Sequence, residues 1–147
     1  MSVHVCREVL DRIKVNRGDL LEVCIPDSSY EDWKHAVAAI ASSKAESSIV
    51  GPNGKIPVQI FPRIFSEDFQ LDYLMTVKLG RQVLTTRFYS EDLVDFQATV
   101  DRVENLEDLN DLCGFMEVIQ KATGKRTILI AESIDPYGVK PYVVLPG

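Results

Sequence analysis

The chain has 147 residues, 46 % of them apolar, with 22 acidic and 16 basic side chains and a formal net charge of −6. That length suits one domain, or two small lobes, able to bury roughly two-thirds of the unfolded surface. The negative balance argues against a nucleic-acid groove, which needs clustered Lys and Arg, and no apolar run approaches the roughly 20 residues of a membrane helix.

Cys6, Cys24 and Cys113 are odd in number, far apart and each set in an apolar pattern. They read as reduced thiols serving as small hydrophobes rather than a disulfide framework. The opening MSVHVCREVLDR lacks the basic, apolar and small-residue succession of a secretory signal, so a soluble, cytoplasmic protein is the expectation.

In chain order, Cys6, Val9, Leu10 and Ile13 fit one face of a short helix, although R-I-K-V-N is also compatible with the start of a strand. Asn16-Arg17-Gly18-Asp19 is a turn, and Leu20 to Ile25 is a strand ended by Pro26. Asp27, Ser28 and Ser29 offer N-caps for a helix from about Tyr30 to Ser43, with Trp33, Val37 and Ile40 among its apolar contacts. Ser47 to Val50 is a second short strand before Gly51-Pro52-Asn53-Gly54; if the two strands are parallel, the crossover between them is right-handed. Lys55 to Asp68, with Pro57 and Pro62, reads as an edge strand or extended connector, and marks the boundary if the chain forms lobes of 1–57 and 58–147.

Phe69 to Leu79 and Arg81 to Tyr89 flank Gly80 as a hairpin. Val94, Phe96, Ala98 and Val100 alternate with Asp95, Gln97, Thr99 and Asp101, the pattern of a half-buried strand. Leu93, Phe96, Val100 and Val103 also fit a helix capped by Ser90; the strand is preferred because its alternation is strict and a meander leads directly into the next helix.

That helix is the best-specified element of the chain. Asn105 is its N-cap and Glu107 and Asp108 place negative charge in the first turn, where free N–H groups favour it. Leu109, Leu112, Cys113, Met116 and Ile119 recur at steps of three and four, and Gly124 follows as a left-handed C-cap beside Lys121 and Lys125. Gly114 inside the helix costs about 1 kcal/mol relative to Ala, which suggests a close backbone contact there. Thr127 to Ala131, T-I-L-I-A, suits a central strand covered on both faces. Asp135-Pro136-Tyr137-Gly138 is a turn, and Pro141 to Leu145 a last strand. The expected fold is α+β: a mixed or antiparallel sheet with helices packed on it, built from an N-terminal strand-helix-strand segment followed by a β-meander, a helix and a strand, in one compact domain of 1–147.

Familiar catalytic patterns are missing. Gly124-Lys125 with Thr127 lacks the glycine a phosphate loop needs five residues earlier, where Ile119 stands, and it runs from helix to strand, the reverse of that loop. Glu31 and His35 share a helix face but no further ligands are spaced to complete a metal site. His4 and Cys6 lack a third, orienting group. Glu132, at the end of a buried strand, is the best single catalytic candidate, with Asp135 near it in sequence. No catalytic residue, metal site or cofactor is assigned.

One charge pattern stands out. Between Glu91 and Asp111 lie eight carboxylates against Arg102 alone, a net of −7, so the rest of the chain carries +1. With the strand reading, Asp95 and Asp101 share a solvent face, to which the helix adds Glu107, Asp108 and Asp111. Such a surface would speed encounter with a cationic partner. Solubility and helix capping are the ordinary explanation, although capping needs only two or three of these charges.

The succession L-V-D-F-Q-A-T-V-D, then E-D-L-N-D-L-C-G-F-M-E-V-I-Q-K-A-T-G-K-R, then T-I-L-I-A-E-S resembles the C-terminal half of small bacterial immunity proteins of polymorphic toxin systems. The resemblance covers Leu93 to Ser133; the N-terminal strand-helix-strand segment lies outside it. It implies stoichiometric inhibition, an acidic surface occluding a basic toxin, with Asp95, Asp101, Glu104, Asp108 and Asp111 as the partner-binding charges. Three readings follow: a non-enzymatic, acidic protein-binding module with a basic partner; an assembly module or secretion-chaperone-like homodimer; and a small enzyme using carboxylates near Glu132. The first is preferred.

Overall fold

Alternation along the outer strands leaves each with one face to bury, the central strands β1 (Leu20–Ile25) and β7 (Thr127–Ala131) are buried on both, and three amphipathic helices cover one face of the sheet. In the computed structural model, which describes residues 6–58, 65, 72–132 and 137–147, the order is α1 (Arg7–Lys14), β1 (Leu20–Ile25), α2 (Tyr30–Ser42), β2 (Glu46–Gly51), β3 (Gly54–Ile56), β4 (Leu74–Leu79), β5 (Gln82–Thr86), β6 (Val94–Thr99), a 3-10 turn (Val100–Arg102), α3 (Leu106–Thr123), β7 (Thr127–Ala131) and β8 (Val143–Leu145). The first segment is thus a helix, and the alternating one is a strand as far as Thr99. Most of the connector read between Lys55 and Asp68, and the first half of the turn read at Asp135, lie outside the described residues. No helix among the described residues is long and apolar enough to cross a membrane.

The strands form one eight-stranded sheet in the order β3-β2-β4-β5-β6-β1-β7-β8, every neighbouring pair antiparallel. The fold is α+β. β1 is inserted between β6 and β7, pairing with β6 from Leu20 opposite Thr99 to Ile25 opposite Val94, and with β7 from Leu21 opposite Ala131 to Cys24 opposite Ile128. β1 and β2 run in the same direction but β4, β5 and β6 stand between them, so α2 carries the chain across most of the sheet. The β5–β6 seam has the fewest registered pairs, Thr85 opposite Gln97 alone.

All three helices cover the same face. Leu21, Val23, Ile25, Met75, Val77, Leu84, Val94, Phe96 and Leu129 from the sheet share one core with Leu10 and Ile13 of α1, Trp33, Val37 and Ile40 of α2, and Leu109, Leu112, Phe115, Met116 and Ile119 of α3. Phe96 ties the layers together: its ring lies 5.8 Å from Trp33 and 5.1 Å, edge-on, from Phe115. Such ring pairs contribute about 0.5–1.5 kcal/mol beyond the area they bury. The Trp33 indole N–H donates to the Ser90 carbonyl at 2.8 Å, which satisfies the one polar group of a fully buried side chain.

The helix ends follow their caps. Ser29 and Asp32 form a capping box at α2, the Ser29 hydroxyl accepting from the Asp32 N–H and the Asp32 carboxylate accepting from the Ser29 N–H at 2.9 Å. The Asn105 side-chain Oδ1 accepts from the Asp108 N–H at 2.8 Å, and Gly124 closes α3 at φ 68°, the left-handed conformation that glycine adopts without strain. Lys125, just beyond that cap, reaches back to α2 and donates to Asp32 at 2.7 Å and to the Asp27 carbonyl at 3.1 Å.

Candidate functional site

The carboxylates gathered between Glu91 and Asp111 in sequence separate in the fold, because β6 carries them from one end of the sheet to the other. Glu91 and Asp92 are exposed at its start and Asp101 is exposed just past its end. A six-residue strand at about 3.4 Å per residue puts roughly 20 Å between the two ends.

At the far end, the start of α3 gathers Asp101, Glu104, Glu107, Asp108 and Asp111. Two of these carboxylates hold the local structure. Asp101 accepts from the Gly18 N–H at 3.0 Å and ties the turn before β1 to the 3-10 turn. Asp108 is buried and accepts from the Glu104 N–H at 3.0 Å and from Arg81 at 3.2 Å. Arg81 also lies 3.5 Å from Glu104, with both side chains about half exposed, so solvent screens this second contact. Glu107 and Asp111 differ. They stand at i and i+4 on α3, where like charges repel by a few tenths of a kcal/mol, and among the described residues neither has an ion pair.

Asp111 is half-buried and lies against Gly80 in the β4–β5 turn; a Cβ on Gly80, which also sits at φ 59°, would collide with its carboxylate. On its other side Asp111 lines a cleft of about 110 Å³ between α3 and the segment that follows α2, with Ser43, Lys44, Ala45, Leu79, Asn110, Gly114, Phe115 and Val118. Gly114 does not make the close contact that its place in a helix suggested. A Cβ there would meet nothing within 4 Å. The glycine faces the open cleft.

A second constellation lies on the opposite face of the sheet. Glu22 and Cys24 on β1, Asp95 and Gln97 on β6, and Ile128 and Ile130 on β7 all point away from the helices by register. This face is not simply solvated. Leu93 and Val139 pack on Cys24, Ile128 and Ile130, and Glu22 and Asp95 are 7 % and 5 % exposed. Burial, followed by the charge of Glu22 and a hydrogen bond from carboxyl to carboxyl, pushes Asp95 up to about 7. Burial likewise pushes the Cys24 thiol up to about 12, reinforced by Glu22 and Asp95 and opposed by Arg126. Two close carboxyls in a low-dielectric setting retain a proton more readily than either would alone. Beside them, Gln97 donates to the exposed Glu132 at 3.2 Å, and an open groove of about 230 Å³ runs along the β5–β6 seam between Val83, Thr85, Gln97, Thr99, Leu20 and Arg102. Neither Glu22 nor Asp95 is among the walls of that groove.

Of the five charges expected to share a partner-binding face, Asp101 and Glu104 are exposed and Asp111 half-exposed around the α3 N-terminus, whereas Asp108 is buried there. Asp95 is not with them: it is buried on the outer face of the sheet, so the expected solvent face shared by Asp95 and Asp101 does not form. Alternation had correctly put Asp95 opposite Val94 and Phe96. It carries no information about what covers the far face, and Val139, more than forty positions along the chain, contributes to that cover. Glu22 was missed for a related reason: an acidic residue within L-L-E-V-C-I reads as the solvated side of a strand, and only a second buried carboxyl on the neighbouring strand marks it out. No protein-family model, curated protein or solved structure matches the chain significantly.

Proposed function

We propose that this chain is a non-enzymatic binding protein that takes a basic protein partner at the N-terminal end of α3, in its sharpest form an immunity protein that occludes a cationic toxin surface. The observation that carries this reading is the uncompensated pair Glu107 and Asp111. Asp108 is accounted for by its hydrogen bonds and Asp101 by the Gly18 N–H. Glu107 lies in the first turn, where the helix dipole favours a carboxylate, but Asp111 lies beyond it and its repulsion with Glu107 has no compensating contact among the described residues. Together with exposed Asp101 and Glu104 they offer a field that would draw a cation in by long-range attraction. Arg81, Arg102 and Lys14 border the site on one side and exposed Lys44 lines the cleft beside Asp111, so the field is confined to a strip of α3 along Glu107 and Asp111.

The reading is tested by capture from native-host lysate at low and high salt with the wild type and E107Q/D111N, after both are shown to fold. The expected result is one basic protein, retained by the wild type, weakened by salt and lost by the variant, whose toxicity in the host the wild type relieves and the variant does not. Equal capture by both proteins rejects the reading.

A second reading, acid–base chemistry by carboxylates, is favoured by the Glu22–Asp95 pair, since a carboxyl titrating near neutrality is suited to donating and accepting protons. It ranks lower because the adjoining groove is lined by neither carboxyl. Homodimerisation gains little support from the exposed apolar residues Val15, Val50, Tyr89, Leu106, Tyr137 and Val144, which come from separate turns, strands and helix ends.

A further inference from the structure

We infer that the cleft beside Asp111 is a receptor for a single lysine or arginine side chain, inserted by the basic partner. The inference rests on the binding reading above and specifies its anchor point. Three independent observations converge on it.

The first is size. At about 110 Å³ the cleft is well below the roughly 300 Å³ at which small-molecule sites begin. Measured against a water's share of about 30 Å³, it takes three or four methylene-sized groups, the stem of one long side chain. The second is chemistry. Ala45, Leu79, Phe115 and Val118 provide an apolar lining, and Asp111 adds a half-buried carboxylate with no ion pair among the described residues. That division matches a basic side chain, which buries an aliphatic stem and keeps its charged head at a polar rim. A purely apolar occupant would leave the carboxylate partly desolvated and unpaired, at a loss.

The third is Gly114. A helix interior disfavours glycine, and no neighbouring protein atom demands it, since a methyl group there would touch nothing within 4 Å. Its consequence is to leave the wall of the cleft open where a side chain would otherwise intrude. Lys44 on the opposite wall is exposed and carries the wrong sign for this occupant. Its presence makes the sign of the occupant testable. Removing its charge should help a cation and hinder an anion or a zwitterion.

The test titrates the isotopically labelled full chain with the blocked tripeptides acetyl-Gly-Lys-Gly-amide and acetyl-Gly-Arg-Gly-amide, with norleucine and glutamate tripeptides as controls, following the backbone amides of Gly114, Phe115 and Val118 by NMR. Expected are saturable shifts with one or both cationic peptides, at dissociation constants on the order of millimolar for so few contacting atoms. Binding should weaken about tenfold in D111N and in G114A, and tighten in K44Q. G114A should melt about 4 °C higher than the wild type, so its loss of binding could not be assigned to misfolding. No saturable shift, equal shifts with the glutamate peptide, or shifts indifferent to D111N would overturn the proposal. A basic protein captured through Glu107 and Asp111 but indifferent to G114A would remove the cleft and leave the binding reading standing. Cationic peptides seated in the cleft without any protein captured through Glu107 and Asp111 would do the reverse.

Discussion

Glu22 and Asp95 meet across the pairing of β1 with β6 as two buried carboxyls joined by a hydrogen bond, on the face of the sheet that carries no helix. An exposed carboxylate pair would simply stay ionised and solvated. Here Cys24 stands opposite Asp95 and Gln97 opposite Glu22, Gln97 donates onward to Glu132, and the neighbouring cation, exposed Arg126, acts on Cys24.

Stability should therefore fall as pH rises toward and past neutrality. Asp95 titrates near about 3.9 when unfolded and about 7 when folded. Between those values the folded state holds more protons, so the contribution is complete below pH 4 and is lost as pH rises through 7. Urea unfolding of the wild type should show a midpoint that declines from pH 5 to pH 8. In D95N the decline should flatten, and this variant should be the more stable of the two at pH 8, by on the order of 1–3 kcal/mol. An identical pH slope in the two proteins would count against the pairing.

Asp108 and Asp101 are close in sequence but should differ sharply when replaced. Asp108→Ala strips a buried acceptor from the Glu104 N–H and from Arg81, and should cost about 2 kcal/mol. Asp101→Ala removes one exposed hydrogen bond and should cost about 0.5 kcal/mol. Equilibrium denaturation of the two single variants compares them directly, and equal losses would contradict the placement of Asp108.

Two glycines should respond in opposite directions. Gly114→Ala adds a methyl group to open space in a helix and should stabilise by about 1 kcal/mol. Gly80→Ala meets both a left-handed backbone and the Asp111 carboxylate, and should destabilise by about 1 kcal/mol or more, as is usual where alanine is forced to φ above zero. Thermal melts of the pair decide it. Stabilisation of G80A would mean that the β4–β5 turn is not built as described.

Asp32 joins the start of α2 to the end of α3, so its loss should exceed that of its capping partner. Ser29→Ala should cost about 1 kcal/mol, the ordinary value of an N-cap. Asp32→Ala also leaves Lys125 without its 2.7 Å contact and should cost about 2 kcal/mol. A K125M/D32A double-mutant cycle isolates the link between the helices; a coupling near zero would reduce it to a solvent-screened contact.

The three thiols should be separable by reactivity. Cys24 and Cys113 are buried and pushed up to about 12, chiefly by that burial, whereas Cys6 is half-exposed. Native labelling with N-ethylmaleimide, read by mass spectrometry, should modify Cys6 alone on the time scale of minutes. Rapid modification of Cys24 would show that the cover provided by Leu93 and Val139 opens readily.

What the chain determined by itself was local. Asn105 and Gly124 announce the ends of α3, and the run Asp27 to Ser29 brackets the start of α2, because such residues supply a missing hydrogen-bond partner or an accessible backbone conformation within a few positions; which of the three caps α2, Ser29, the structure decided. The alternation from Val94 to Thr99 and the hairpin around Gly80 were legible because period and turn chemistry are also short-range properties. The tertiary structure alone decided the rest. It inserted β1 between β6 and β7 and brought Glu22 to Asp95, residues that sequence separates by more than seventy positions. It also divided the acid band between two ends of a strand, a buried pair and a helix terminus. Charge counts in sequence ignore direction, whereas the reach of a strand and the cover on each of its faces depend on which distant segments pair with it. Gly114 shows the same limit. Its cost is readable in the helix, but whether the space beside it is filled or open depends on where the segment after α2 comes to rest.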